Sequence, residues 1–171
     1  FYTGRVMSRW NERFHDACKT NGAVTVVSGM CAGYLSKPAQ RAKGITLIRY
    51  TNAILHLYYM MLSGSLSSTK YSILVKRGML TKQEAAQLQK GGSPGVVVYS
   101  WCANICRSAF LANELSAEQE KAIMANISTA RGLGAKQIAY SLTQMPLAYF
   151  HLMVVTINSF ALTSSWTAAH N

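Results

Sequence analysis

Four side chains near the start of the chain share a spacing that could act on ions. Phe1, Arg5, Arg9 and Arg13 follow one another at four-residue steps, so on a helix they form one row that drifts by roughly 40° per step. Three guanidinium groups on such a row attract small anions or anionic headgroups. Spacing alone supports only a solvated basic face on a helix beside a membrane. Glu118 lies in Ser116-Ala117-Glu118-Gln119, a helix-start signal, where a first-turn carboxylate complements the helix dipole. His151 interrupts an otherwise uncharged apolar stretch. An ionisable group inside a membrane is a functional candidate, but a neutral, hydrogen-bonded imidazole is cheap to bury, and packing is the expected role.

No other set of residues suggests reaction chemistry. His15, His56, His151 and His170 are scattered, and the chain contains no phosphate loop, nucleophile elbow or His-Glu-x-x-His helix. Only 6 Asp and Glu are available for acid–base work. The chain is therefore not expected to be an enzyme. Cys102 and Cys106 are four apart and share a helix face, but two thiols with no neighbouring His or further Cys make a poor zinc site, so core packing is expected and no metal. Cys18 and Cys31 add no disulfide-scaffold spacing, which suits a reducing compartment.

The distribution of charge divides the chain. There are 17 Lys and Arg against 6 Asp and Glu, all of them before Gln137, and none of these four residue types occurs from Gln137 to Ala169. The apolar run from Met145 to Trp166 is about 20 residues long, the length a helix needs to cross a bilayer. A basic block ahead of it places that block in the cytosol by the positive-inside rule. A net charge of +11 would also suit a nucleic-acid binder, but the basic residues are spread evenly and no nucleic-acid-binding signature is present, so nucleic acid is not an expected partner. Anionic lipid and permeating anions are.

The remaining pattern is helical throughout. The spacing predicts a helix from Phe1 to Asp16, a turn at Thr20-Asn21-Gly22, and a short helix from Ala23 to Leu35 that Ser36-Lys37-Pro38 ends. A long helix from about Gly44 to Ser63 carries a wide apolar stripe, and Arg49 within it argues for packing against other helices rather than a membrane crossing. Tyr71 to Val75 continues as helix or turn to Gly78, a C-cap signal. Thr81-Lys82-Gln83-Glu84 is a capping box opening a short helix to Leu88. Gly91 to Gly95 is a loop, Val96 to Leu111 is helix, and a last helix starts after Ser116 and closes near Arg131 at Gly132 and Gly134. No useful strand alternation occurs, so the fold class is all-α.

Five short motifs in this order resemble the bestrophin family of anion channels over nearly the whole chain. Phe1-Tyr2 followed by Arg9-Trp10 resembles the end of the family's pore-lining second membrane helix. Leu47-Ile48-Arg49-Tyr50-Thr51-Asn52 is similar to its Leu-Ile-Arg-Tyr-x-Asn signature. Gly78-Met79-Leu80-Thr81 with Leu88, then Trp101-Cys102-Ala103-Asn104, then Pro146-Leu147-x-Tyr149 leading to Ser159-Phe160, fall at about the family's intervals.

The resemblance implies a helical membrane protein in three parts. Residues 1–16 would be the inner end of a pore-lining membrane helix, 17–136 a cytosolic helical vestibule, and 137–171 a transmembrane helix with the start of an outer loop. It implies a homopentamer of identical subunits around one axial pore, passing chloride, with bicarbonate as a second candidate anion. Phe1 matches the innermost apolar residue of the neck. Continuing its row makes Arg5, with Arg9, a candidate vestibule charge that concentrates anions. A gapless count places Glu118 at the cytosolic constriction, where a carboxylate would oppose anions. The family's first and last membrane helices and its calcium-binding acidic cluster have no counterpart here; both ends read as truncated, and calcium is a cofactor candidate only for a longer chain. Plasma and thylakoid membranes both remain open as locations. The competing expectation is a membrane-anchored basic helical interaction protein without a pore.

Overall fold

In the computed structural model of the protein, residues 2–64, 66–142 and 154–160 are described. Helical hydrogen bonding carries through several polar interruptions that look like breaks in the sequence. Helix α1 (Tyr2–Tyr34) is one helix of 33 residues, about 50 Å long. The turn expected at Thr20-Asn21-Gly22 is absent, because the Thr20 hydroxyl donates to the Asp16 carbonyl at 2.7 Å. A buried Thr that bonds back one turn satisfies its polar group without leaving the helix. The chain does turn at Ser36-Lys37-Pro38, as expected.

Helix α2 (Pro38–Leu62) begins some residues before the expected start, with Pro38 in its first turn, where a missing N–H costs nothing. Helix α3 (Ser68–Lys76) is capped by the Ser67 side chain. At its end Gly78 takes φ +69°, and the Gly78 and Met79 N–H groups donate to the Val75 and Leu74 carbonyls at 2.9 and 3.0 Å. This is a Schellman motif, and it needs the left-handed conformation that glycine adopts freely. Helix α4 (Lys82–Gln89) opens with the expected capping box: the Glu84 N–H donates to the Thr81 hydroxyl while the Thr81 N–H donates to the Glu84 carboxylate. Helix α5 (Pro94–Leu111) starts at its proline, slightly ahead of the expected Val96.

Helix α6 (Ala117–Leu142) runs through Gly132 and Gly134, where the sequence predicted its end. At Gly134 the glycine serves close approach instead. A Cβ there would lie 2.6 Å from Cγ of Tyr58, and one at Gly95 would lie 2.6 Å from the Tyr58 hydroxyl. Tyr58 from α2 is thus held between α5 and α6 and is buried.

The chain divides into two units, Phe1–Ile138 and Ala139–Asn171. In the first, α2 is central, with α1 and α5 against it. Val27, Cys31, Leu47, Ile54, Leu57, Val98, Cys102, Cys106, Ile123 and Ile127 form its core. The expected packing role of Cys102 and Cys106 holds. Burial pushes the Cys31 thiol up to about 11 and those of Cys102 and Cys106 to about 12, which leaves them unreactive at neutral pH. In the second unit residues 154–160 are helical, and Val155, Ile157 and Phe160 are exposed. The described residues contain helix and no strand, in agreement with an all-α fold. No helix among them is long and apolar enough to cross a membrane; most of the apolar run from Met145 to Trp166 lies outside the described residues.

Candidate functional site

The arginine row lies on the first half of α1, and that half differs in packing from the second. From Asp16 onward one face is buried, through Thr20, Ala23, Val24, Val27 and Cys31, at the three- and four-residue steps of a helix. Before Asp16, none of the side chains described is buried. Met7, Trp10 and Phe14 are 59%, 60% and 56% exposed, and the Trp10 and Phe14 rings stack at 5.7 Å, 6° from parallel. Arg9 is half-buried and Arg13 exposed, and each is engaged by a neighbour. Arg5 belongs to α1 by its backbone. Phe1 and His151 lie outside the described residues.

Lys136 of α6 joins the halves. Its ammonium donates to Glu12 Oε1 at 3.0 Å and lies 2.9 Å from Asp16 Oδ2. Asp16 is only 4% exposed. Its Oδ2 takes no well-directed hydrogen bond, so the contact is ionic, and the lysine supplies the counter-charge that a buried carboxylate requires.

Glu118 is exposed at the first turn of α6. The Ser116 hydroxyl donates to its carboxylate at 3.0 Å. Ser116 and Gln119 complete the helix start, each backbone N–H donating to the other's side chain, at 2.9 and 3.2 Å. Glu118 therefore sits where it complements the helix dipole.

The most tightly bonded cluster joins two motifs that the sequence presents separately. The Arg49 guanidinium grips Glu84 with both terminal nitrogens, at 2.7 and 2.9 Å, and the Tyr50 hydroxyl donates to the same carboxylate at 2.6 Å. The Thr81 N–H adds a fourth bond at 2.7 Å. One capping-box carboxylate thereby fastens α4 to α2. Burial pushes the Glu84 carboxyl up, but the Arg49 hydrogen bond, the Thr81 N–H, the Tyr50 hydroxyl and the Arg49 charge together outweigh it and hold the group at about 2. Burial, followed by the Glu84 contact, raises the Tyr50 phenol to about 12. Its ring packs at 5.4 Å from that of Trp101, so the signature reaches the Trp101-Cys102-Ala103-Asn104 motif on α5 as well.

Sequence reasoning did not pair Arg49 with Glu84. The available signal was an arginine in an apolar stripe, which needs a carboxylate, in a chain that holds only 6. Nor did it connect Tyr58 to Gly95 and Gly134, for which helical spacing offers no cue. Two more acids are paired as well: Glu114 with Lys43 at 2.6 Å, and Glu120 with Arg107 at 3.8 Å. With Glu12, Asp16 and Glu84, five of the 6 carboxylates face a basic group inside the protein. The positive surplus is left without internal compensation.

Fold and site together define a class: an all-helical, cation-rich scaffold braced by an Arg–Glu clamp and preceded by a helix half that stands clear of the core. The family model described as "Bestrophin, RFP-TM, chloride channel" matches residues 1–170, and the chain belongs to the bestrophin family. It is similar to Bestrophin-1 of Homo sapiens and to Bestrophin-1 of Macaca fascicularis, 28% identical to each over 174 residues. Those matches cover 95% of this chain and 28% of each relative, so the chain spans less than a third of their length.

Proposed function

We propose that this chain is part of a passive anion channel subunit that conducts chloride, with bicarbonate as a second candidate, across the membrane in which it is embedded. The observation that carries the reading is electrostatic. Nearly all the carboxylates are committed to internal pairs, and a net charge of +11 remains in a chain of a family described by chloride conduction. Such a surface raises the local concentration of anions and repels cations.

In this proposal identical subunits form a pentamer around one pore. Phe1 closes the inner end of the neck, and Arg5, one turn on, repeats as a positive ring at the vestibule entrance, with Arg9 beyond it. The exposed apolar side chains Val155, Ile157 and Phe160 face lipid. Calcium enters this proposal only as a candidate cofactor of a longer chain. Replacing Arg5 by Gln should lower the anion-over-cation permeability ratio of the reconstituted protein; an unchanged ratio removes Arg5 from the pathway. If Glu118 also faces that pathway, Glu118→Gln should raise anion conductance, whereas an unchanged conductance leaves it a helix-start residue.

A second reading, a membrane-anchored basic helical protein without a pore, is favoured by one observation. Met7, Trp10 and Phe14 form an outward aromatic and apolar strip beside Arg9 and Arg13, the pairing of residue types found on helices that lie at a lipid interface. Oligomeric state separates the two: particles of fivefold symmetry in detergent support the channel, and monomers support the anchor.

A further inference from the structure

The cleft between α3 and α4 has no part in the proposed anion pathway. Ser68, Tyr71, Ser72, Val75 and Lys76 line it from α3, at steps of three and four, and Lys82, Ala85, Ala86 and Gln89 line it from α4 in the same rhythm. Each helix therefore gives one whole face to the cleft. Its volume is about 370 Å³, at the lower end of small-molecule sites, which run from about 300 to 1,000 Å³. The two helices are 9 and 8 residues long, so the trough extends about 12–13 Å, little more than two helical turns.

The chemistry of the cleft is of two kinds. Tyr71, Val75 and Ala85 are its buried and half-buried apolar lining, while Lys76 at the end of α3 and Lys82 at the start of α4 line it on either side of residues 77–81, which connect the helices. Neither lysine has a carboxylate within ion-pair distance among the described residues. Glu84, the nearest acid in sequence, is occupied by Arg49, Tyr50 and Thr81. The walls are also set before any ligand arrives, by the Schellman turn at Gly78 on one side and the capping box and Arg49 clamp on the other. A preformed site avoids the ordering cost of assembling itself around a ligand.

We propose that this cleft binds a free, single-chain aliphatic carboxylate, its chain along the Tyr71–Val75–Ala85 lining and its carboxylate between Lys76 and Lys82. An apolar trough flanked by two unpaired ammonium groups is complementary to an amphipathic anion. It is not complementary to a neutral chain, which leaves the lysines without a counter-charge, or to a short anion, which leaves the apolar lining uncovered.

The test is calorimetric titration of decanoate into the full-length protein in lipid nanodiscs, with empty nanodiscs subtracted and decanol and butyrate titrated in parallel. The expected result is saturable binding of one decanoate per chain, with decanol and butyrate each weaker by about tenfold or more. The double variant Lys76→Gln/Lys82→Gln should weaken decanoate by about tenfold and leave decanol unchanged. Ala86 is exposed, so Ala86→Phe fills the cleft without disturbing the core, and it should abolish binding in a protein whose circular dichroism is unaltered. Non-saturating uptake shared equally by decanoate and decanol overturns the proposal, as does saturable binding that Ala86→Phe leaves intact. Heat is the readout, so the result stands whether or not the protein conducts.

Discussion

The two halves of α1 have the same backbone and opposite surroundings. From Asp16 to Tyr34 the helix presents a buried face to α2 and the core; before Asp16 it presents Met7, Trp10 and Phe14 outward. A helix is continuous in its hydrogen bonds, but its stability comes mainly from what one face packs against. The second half is therefore packed into the core, and the first half is an exposed surface of the same unit. Lys136 marks the boundary by bridging Glu12 and Asp16.

Substitutions on the two sides of that boundary should differ severalfold in effect. Leu35, which directly follows α1 and whose N–H donates to the Cys31 carbonyl, is 1% exposed in the core, and Leu35→Ala should cost roughly 2–5 kcal/mol in a denaturant titration. A cost below about 1 kcal/mol would mean that the packed half is not packed.

The frame that the packed half leans on should show a specific acid response. The folded Glu84 carboxyl is held at about 2, well below its ordinary 4.5. The stabilisation is then fully present above pH 4.5 and disappears as pH falls through 2, with no change between pH 8 and 5. The shift corresponds to about 3 kcal/mol as an order of magnitude. Glu84→Gln should remove that acid-dependent loss from a plot of stability against pH, and persistence of the loss would assign it to another carboxylate.

At the boundary, Asp16→Asn keeps the shape and removes the charge that faces Lys136; unfolding should become easier by about 1–2 kcal/mol. Smallest of all, Trp10→Ser should change stability by less than about 0.5 kcal/mol while weakening recovery of the protein in membranes. A loss of stability comparable to that of Leu35→Ala would erase the distinction between the halves.

The sequence made the local devices legible and left the contacts between helices hidden. The capping box at Thr81 and the glycine cap at Gly78 are recognisable because each is a fixed chemical pattern over a few residues, whereas Pro38 reads as a break and in fact opens α2. Thr20-Asn21-Gly22 and Gly132 with Gly134 misled for one reason: a turn signal states what a backbone tolerates, and packing decides whether the helix continues. Thr20 was absorbed by a bond to the Asp16 carbonyl, and Gly134 was needed where Tyr58 approaches. The Arg49–Glu84 clamp spans 35 residues, and no local period reports such a pair. The arginine row was visible as a row from its spacing, but the proposed pore role rests on family resemblance, since no local period reports what a row faces.

Passive anion conduction is read out without intermediaries in a planar bilayer that contains the full-length protein under a chloride gradient. Zero current should fall near the chloride equilibrium potential and should follow that potential when the gradient is reversed. A zero-current potential that follows the cation gradient, or a bilayer that stays silent with the protein inserted, would contradict the claim and leave α1 as the anchoring surface of a protein without a pore.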